Sequence, residues 1–121
     1  MSVSSHWFAV ALVGAGLVSA HAVHAQVVTL LDNDTVRVYQ ATIKAGTSTA
    51  EHTHALPHAT YVQSGGTLQI RRKSAPPDTL RLASGSAYWG KVETHITDNI
   101  GPTDVVLITT ELKPRPARRT P

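Results

Sequence analysis

Gly46-Thr-Ser-Thr-Ala-Glu-His-Thr-His-Ala-Leu-Pro-His-Ala-Thr-Tyr-Val-Gln-Ser-Gly-Gly66 packs His52, His54 and His58 into seven residues, with glycines at both ends. In a β-strand, side chains at i and i+2 point to the same face. His52 and His54 therefore share one side, and Glu51 and Thr53 point to the other. Pro57 interrupts the strand, and His58 opens the next one, able to point back toward the pair. A single histidine is ordinarily a surface residue or a hydrogen-bonded partner. Neutral imidazole is also a strong ligand for first-row transition metals, and three at this spacing predict a metal site.

The rest of the chain narrows the setting. Its 121 residues suit one domain. Trp7 to Ala20 is apolar and uncharged, shorter than the roughly 20 residues that span a bilayer. It suits the apolar segment of a secretory signal. Small residues around Val23-His24-Ala25 allow cleavage before Gln26, and Ala20-His21-Ala22 is a second position. Residues 1–25 are thus expected to be a signal peptide and residues 26–112 the folded domain, with 113–121 a flexible basic Pro/Arg tail. Export would place the mature protein in a periplasm or outside the cell, with no stable membrane anchor after cleavage. His6, His21 and His24 would leave with the signal, so the mature chain keeps His52, His54, His58 and His95. The chain has no cysteine, which excludes disulfides, thiolate metal ligands and cysteine nucleophiles.

The net charge of +3 comes from the tail, which carries Lys113, Arg115, Arg118 and Arg119. Setting those four aside leaves seven basic against eight acidic residues. A nucleic-acid binder needs a basic face on the fold itself, so no nucleic-acid partner is expected. Arg71-Arg72-Lys73 reads as a solvated guard at a strand end.

Along the mature chain, short β-branched and aromatic runs alternate with turn residues. Val27–Leu31, Val36–Ile43, Thr60–Gln63, Thr67–Arg71, Thr79–Leu82, Tyr88-Trp89, His95–Ile100 and Val105–Leu112 read as strands. Ser64-Gly65-Gly66 reads as a hairpin turn, and Pro76-Pro77-Asp78 as another turn. About eight strands with no sustained helical period predict an all-β sandwich or small barrel.

Gly46-x5-His52-x-His54-x3-His58-x6-Gly65 resembles the first motif of the cupin superfamily, with His58 where that family carries glutamate. Gly85, His95 and Asn99 resemble the second motif more loosely, with the spacing before His95 one residue short. The resemblance covers roughly residues 35 to 112. It implies a small jelly-roll-like double-sheet barrel with a metal in its mouth. Carried over by position, His52, His54 and His95 match the family's metal ligands, His58 takes the place of its glutamate ligand, and Asn99 is structural. Four neutral imidazoles would favour Fe(II), Ni(II), Cu(II) or Zn(II) over oxygen-preferring Mn(II). With His58 behind the ligands instead, three histidines would leave the open positions a catalytic metal needs.

Around this site, Glu93 shares the His95 face if the strand is unbroken. It is a candidate general base, an acceptor that orients an imidazole, or a partner in a loop salt bridge. Thr60, Val62, Tyr88 and Trp89 are candidate pocket-lining residues. No nucleophile elbow or glycine-rich phosphate loop is present. The resemblance implies a metal-dependent enzyme acting on a small molecule, such as a dioxygenase or isomerase. The alternatives are a non-catalytic metal- or small-ligand-binding barrel and an interaction module. Tyr39 and Val27–Leu31 could contribute to a homodimer.

Overall fold

Strict alternation of buried and exposed side chains along His58–Ser64 sets one inner and one outer face, as expected for a strand that covers a core on one side. The computed structural model describes residues 25–117, and every regular element among them is a strand. These are β1 (Gln26–Asp32), β2 (Val36–Ile43), β3 (His52–His54), β4 (His58–Ser64), β5 (Gly66–Arg72), β6 (Ala75–Leu82), β7 (Ala87–Gly90), β8 (Glu93–Asn99) and β9 (Val105–Leu112). They form two antiparallel sheets, ordered β1-β2-β9-β4-β7 and β3-β8-β5-β6. The expected all-β double-sheet architecture is present. The expected signal segment, apart from Ala25, lies outside the described residues.

Inward-facing Ile43, Val62, Leu68, Val105 and Leu107 form the buried core, with Leu80, Leu82 and Tyr88 packed against it. Val62 lies further along β4, the strand that opens with His58, and the others are carried by β2, β5 and β9. One end of the barrel is therefore aliphatic and closed, and the other is lined with imidazole.

Two local expectations are corrected. Ser64-Gly65-Gly66 is not a hairpin, because β4 and β5 belong to different sheets. The glycines serve a close crossing between those sheets. A Cβ on Gly65 would come within 2.1 Å of the Leu82 carbonyl oxygen. Pro76-Pro77-Asp78 is not a turn either; it lies within β6, and the chain reverses at Lys73-Ser74. β6 is an edge strand, where a residue without an N–H can be accommodated. The first residue of the basic tail, Lys113, is held against the fold. Its N–H donates to the Thr35 carbonyl at 2.9 Å and its ammonium pairs with Asp32.

Asn99 closes the aliphatic end. It is 1% exposed, and its amide nitrogen donates to the carbonyls of Ile43 at 2.9 Å and Thr103 at 2.8 Å. Its oxygen accepts the Gly101 N–H at 3.1 Å. One side chain thus joins the end of β2 to β8 and to the turn before β9. Asn99→Ala would strand these backbone groups, each costing about 1–3 kcal/mol when buried and unpaired. The expected result is a lower urea midpoint, by about 3 kcal/mol in stability, with an unchanged denaturant slope.

Candidate metal centre and cavity

β3 pairs with β8 so that His52 stands directly opposite His95, and His54 opposite Glu93. The alternation that puts His52 and His54 on one face also puts Glu93 and His95 on the same inner face of the neighbouring strand. The rings of His52 and His95 lie 4.6 Å apart, and those of His52 and His54 4.9 Å apart. Each of the three residues offers a nitrogen, and these nitrogens all fall within 4.8 Å of one another. That spacing could hold a metal ion.

The hydrogen bonds orient these rings. His52 Nδ1 is 3.0 Å from the Ala50 carbonyl. A carbonyl can only accept, so Nδ1 carries the proton and Nε2 is left as a free lone pair. His95 Nδ1 faces Glu93 Oε1 at 3.2 Å, with the same consequence. The Tyr39 hydroxyl lies 3.4 Å from His54 Nδ1. Burial pushes the His54 pKa down to about 4, reinforced by repulsion from His58, His52 and His95 and opposed by Glu93. His95 is lowered as well, first by burial and then by His52, against the pull of Glu93. His54 and His95 are therefore neutral at physiological pH, the state a metal requires. For His54 the unfolded chain takes up the proton first. Its contribution to stability is therefore lost as pH falls from about 6.5 to about 4.

His58 comes from the other sheet and meets these three through His54. Its ring stacks on His54, with centroids 4.5 Å apart. Its Nδ1 donates to the Leu56 carbonyl at 2.9 Å, and its Nε2 edge lies against Gly90, its register partner on β7. A Cβ on Gly90 would sit 1.8 Å from that nitrogen, so only glycine leaves room for the ring. The chain turn at Pro57 carries His58 into the other sheet. The three residues whose nitrogens lie close enough together to share an ion are His52, His54 and His95, and His58 lines the same cavity beside them.

Glu93 is clamped. Arg72 donates Nε at 2.6 Å to Oε2 and Nη2 at 2.9 Å to Oε1, and also reaches Asp78. The guanidinium hydrogen bond holds the Glu93 pKa down at about 2, against the effect of burial. A carboxylate bound this tightly is poorly placed to accept a substrate proton. Its second role is to hold His95. Glu51 points outward and pairs with Lys73 at 3.0 Å.

The three imidazoles and His58 line a cavity of about 390 Å3, within the roughly 300–1,000 Å3 typical of small-molecule sites. Thr60 and Tyr88 line it; Trp89 reaches only its rim and is 61% exposed. Val62 does not line the cavity. It is fully buried in the core, one inward position beyond Thr60. Tyr39 lines the cavity rather than an outer face. Burial pushes the phenols of Tyr39 and Tyr88 up, while hydrogen bonds from Thr109 and Thr60 respectively act in the opposite direction. Sequence reasoning missed Arg72, Asp78 and Thr109. Arg72 shares parity with the core positions Leu68 and Ile70, and that alternation was the available signal for an inward arginine.

No protein-family model matches the sequence, and no curated protein matches it. Solved structures do match. A cupin domain from Bordetella pertussis Tohama I superposes with a TM-score of 0.70 at 23% identity, covering 75% of this chain and 95% of that one. The fold is that of the cupins. An RmlC-like cupin with a double-stranded β-helix fold from Methanocaldococcus jannaschii superposes at TM-score 0.59 and 11% identity, covering 74% of this chain and 80% of that one. The polyketide cyclase RemF from Streptomyces resistomycificus matches at TM-score 0.57 and 17% identity, over 77% of this chain and 68% of that chain. At these identities the likeness carries the fold alone. Within the cupin barrel, the histidines lie on strands of both sheets, and the three that converge all come from the β3–β8 pair.

The clamp yields a pH signature. A carboxylate with a depressed folded pKa adds stability above its unfolded pKa of about 4.5, and that stability is lost as pH falls toward about 2. In Arg72→Gln the Glu93 carboxyl should titrate clearly higher, as read by carbon NMR. The stability gap between wild type and variant should narrow as pH drops from about 4.5 to about 2.

Proposed function

We propose that this protein is an exported, metal-dependent enzyme of the cupin fold acting on a small organic molecule, in the manner of a dioxygenase or isomerase. The observation that carries the reading is the convergence of three imidazoles, His52, His54 and His95, at the wall of a largely apolar cavity. The donor set fits a divalent transition metal: two of the rings have Nδ1 tied to an oxygen acceptor, and His54 is kept neutral by burial. These three residues would hold the ion through nitrogen alone, which favours Fe(II), Ni(II), Cu(II) or Zn(II) over Mn(II). The metal would act as a Lewis acid toward a substrate oxygen and, for a redox-active ion, as an electron carrier.

The chain's own residues do the rest. Ala50 and Glu93 set ring orientation, and the Arg72 clamp holds Glu93 to that task, as outer hydrogen bonds to metal-binding histidines generally do. His58 braces His54 by stacking. Three ligands leave coordination positions free for substrate, which favours an enzyme over a storage protein with a saturated ion. Export is supported by the uncharged apolar segment Trp7–Ala20 and the small residues before Gln26. A homodimer finds its physical support in β1, an edge strand among the described residues whose Val27, Val28, Leu30 and Leu31 are all about half exposed; pairing with a second copy would cover them.

Elemental analysis of untagged mature protein, after reconstitution with Fe(II) and Zn(II), should find about one ion per chain. His52→Ala/His54→Ala should lose it, and His58→Gln should keep it. No ion bound by the wild type, or loss of the ion in His58→Gln equal to that in the double variant, would overturn the three-histidine reading.

A further inference from the structure

The registers of β2, β9, β4 and β7 align Tyr39, Thr109, Thr60 and Tyr88 as one row across four neighbouring strands. All four side chains line the cavity. Thr60 and Thr109 are 2% and 4% exposed, and their hydroxyls lie 3.0 Å apart. At one end of the row the Tyr39 hydroxyl approaches His54 Nδ1 at 3.4 Å. One position further in, β2, β9 and β4 carry Ala41, Leu107 and Val62, with no hydroxyl among them. Burying hydroxyls has a desolvation cost that aliphatic side chains of the same size avoid; the Thr60–Thr109 bond offsets it, where an aliphatic row would not incur it.

The facing wall, from β5 and β6, presents Leu68, Ile70 and Leu80. The charges inside are already matched. Arg72 is held by Glu93 and Asp78, and those carboxylates by Arg72. The other lysine or arginine lining the cavity, Lys91, is exposed. Among the protein's own groups, a carboxylate ligand would therefore find no free interior guanidinium or ammonium, so in metal-free protein nothing inside the cavity offsets its charge. An entirely apolar ligand would leave the hydroxyls without an external partner.

We propose that the Tyr39–Thr109–Thr60–Tyr88 row is a binding strip for an uncharged aromatic ring bearing a hydroxyl or carbonyl oxygen. The oxygen edge lies on the hydroxyls and the ring on the aliphatic wall. The tyrosine rings at the two ends of the row give the ligand ring aromatic neighbours. This names the substrate class for the site proposed above, and rests on that reading only in placing the ligand beside the three histidines.

Equilibrium dialysis of the full chain with 1-naphthol, naphthalene and 1-naphthoate tests the proposal, using protein as purified and after chelator treatment. In chelator-treated protein the naphthol should bind at least about tenfold more tightly than the other two, the ratio expected of a net hydrogen bond. Thr60→Val/Thr109→Val replaces both partners of the central bond by groups of similar shape, which is close to neutral for folding. It should bring naphthol to within about twofold of naphthalene. Should that variant not fold, Tyr39→Phe/Tyr88→Phe removes the outer hydroxyls with the rings kept, and should lower the preference in the same direction. In chelator-treated protein, equal binding of naphthol and naphthalene, equal binding of naphthoate, no binding of any probe, or an undiminished preference in the folded variants would overturn the proposal. Naphthol selectivity in a protein that takes up no metal would sink the metal reading and leave this one. Metal uptake without naphthol selectivity would sink this one alone.

Discussion

Arg72 is the constraint on which the open end of the barrel depends. Its guanidinium lies between Glu93 of β8 and Asp78 of β6 while its own backbone belongs to β5. A single cation therefore ties three neighbouring strands of one sheet together at the level of the histidines. This partly exposed charge is bidentate to Glu93 and also paired with Asp78. The clamp also decides what Glu93 is for. With both oxygens engaged by Arg72, Glu93 uses its remaining accepting capacity on His95 Nδ1, and the free imidazole nitrogen is directed to the other side. Orientation of the candidate metal centre is thus set by an ion pair that does not itself touch the metal position.

The barrel is layered from its closed end to its open end. Asn99 and the aliphatic cluster of Ile43, Val62, Leu68, Val105 and Leu107 seal one end. A row of hydroxyls follows, and then the imidazoles. Chain reversal between the sheets depends on close approach at Gly65, and the imidazole layer depends on it at Gly90, where a methyl group would displace His58. With no cysteine in the chain, cohesion rests on apolar packing, sheet hydrogen bonds and the partnered polar groups of these layers. The described residues contain no buried side-chain polar atom without a hydrogen-bond partner, so the polar cavity does not undermine the core beneath it.

Legibility in the sequence followed the period of the strand. Two-residue alternation, with turn residues between runs, was enough to anticipate the all-β double-sheet fold and to put His52 and His54 on one face. The same rule applied to Arg71-Arg72-Lys73 would have turned Arg72 inward; charge composition suggested a solvated run instead. Pro76-Pro77 read as a turn because proline is excluded from central strands. β6 is an edge strand, and whether a strand is central or edge is not a local property. Ser64-Gly65-Gly66 has hairpin chemistry, yet its glycines serve a crossing between sheets.

What the sequence by itself determined is the inventory and the parity: which side chains can face inward, and that imidazoles, not thiolates, are the transition-metal donors to weigh. Only the tertiary structure decided which of them meet. His52 and His95 are more than forty residues apart in the chain and become opposite partners through β3–β8 register. His58 lies four residues from His54 and yet enters the other sheet. Tyr39, Thr109, Thr60 and Tyr88 become neighbours through three separate strand pairings. The physical reason is that strand parity is set within a few residues by backbone geometry, whereas register and sheet membership are set by pairings between distant segments.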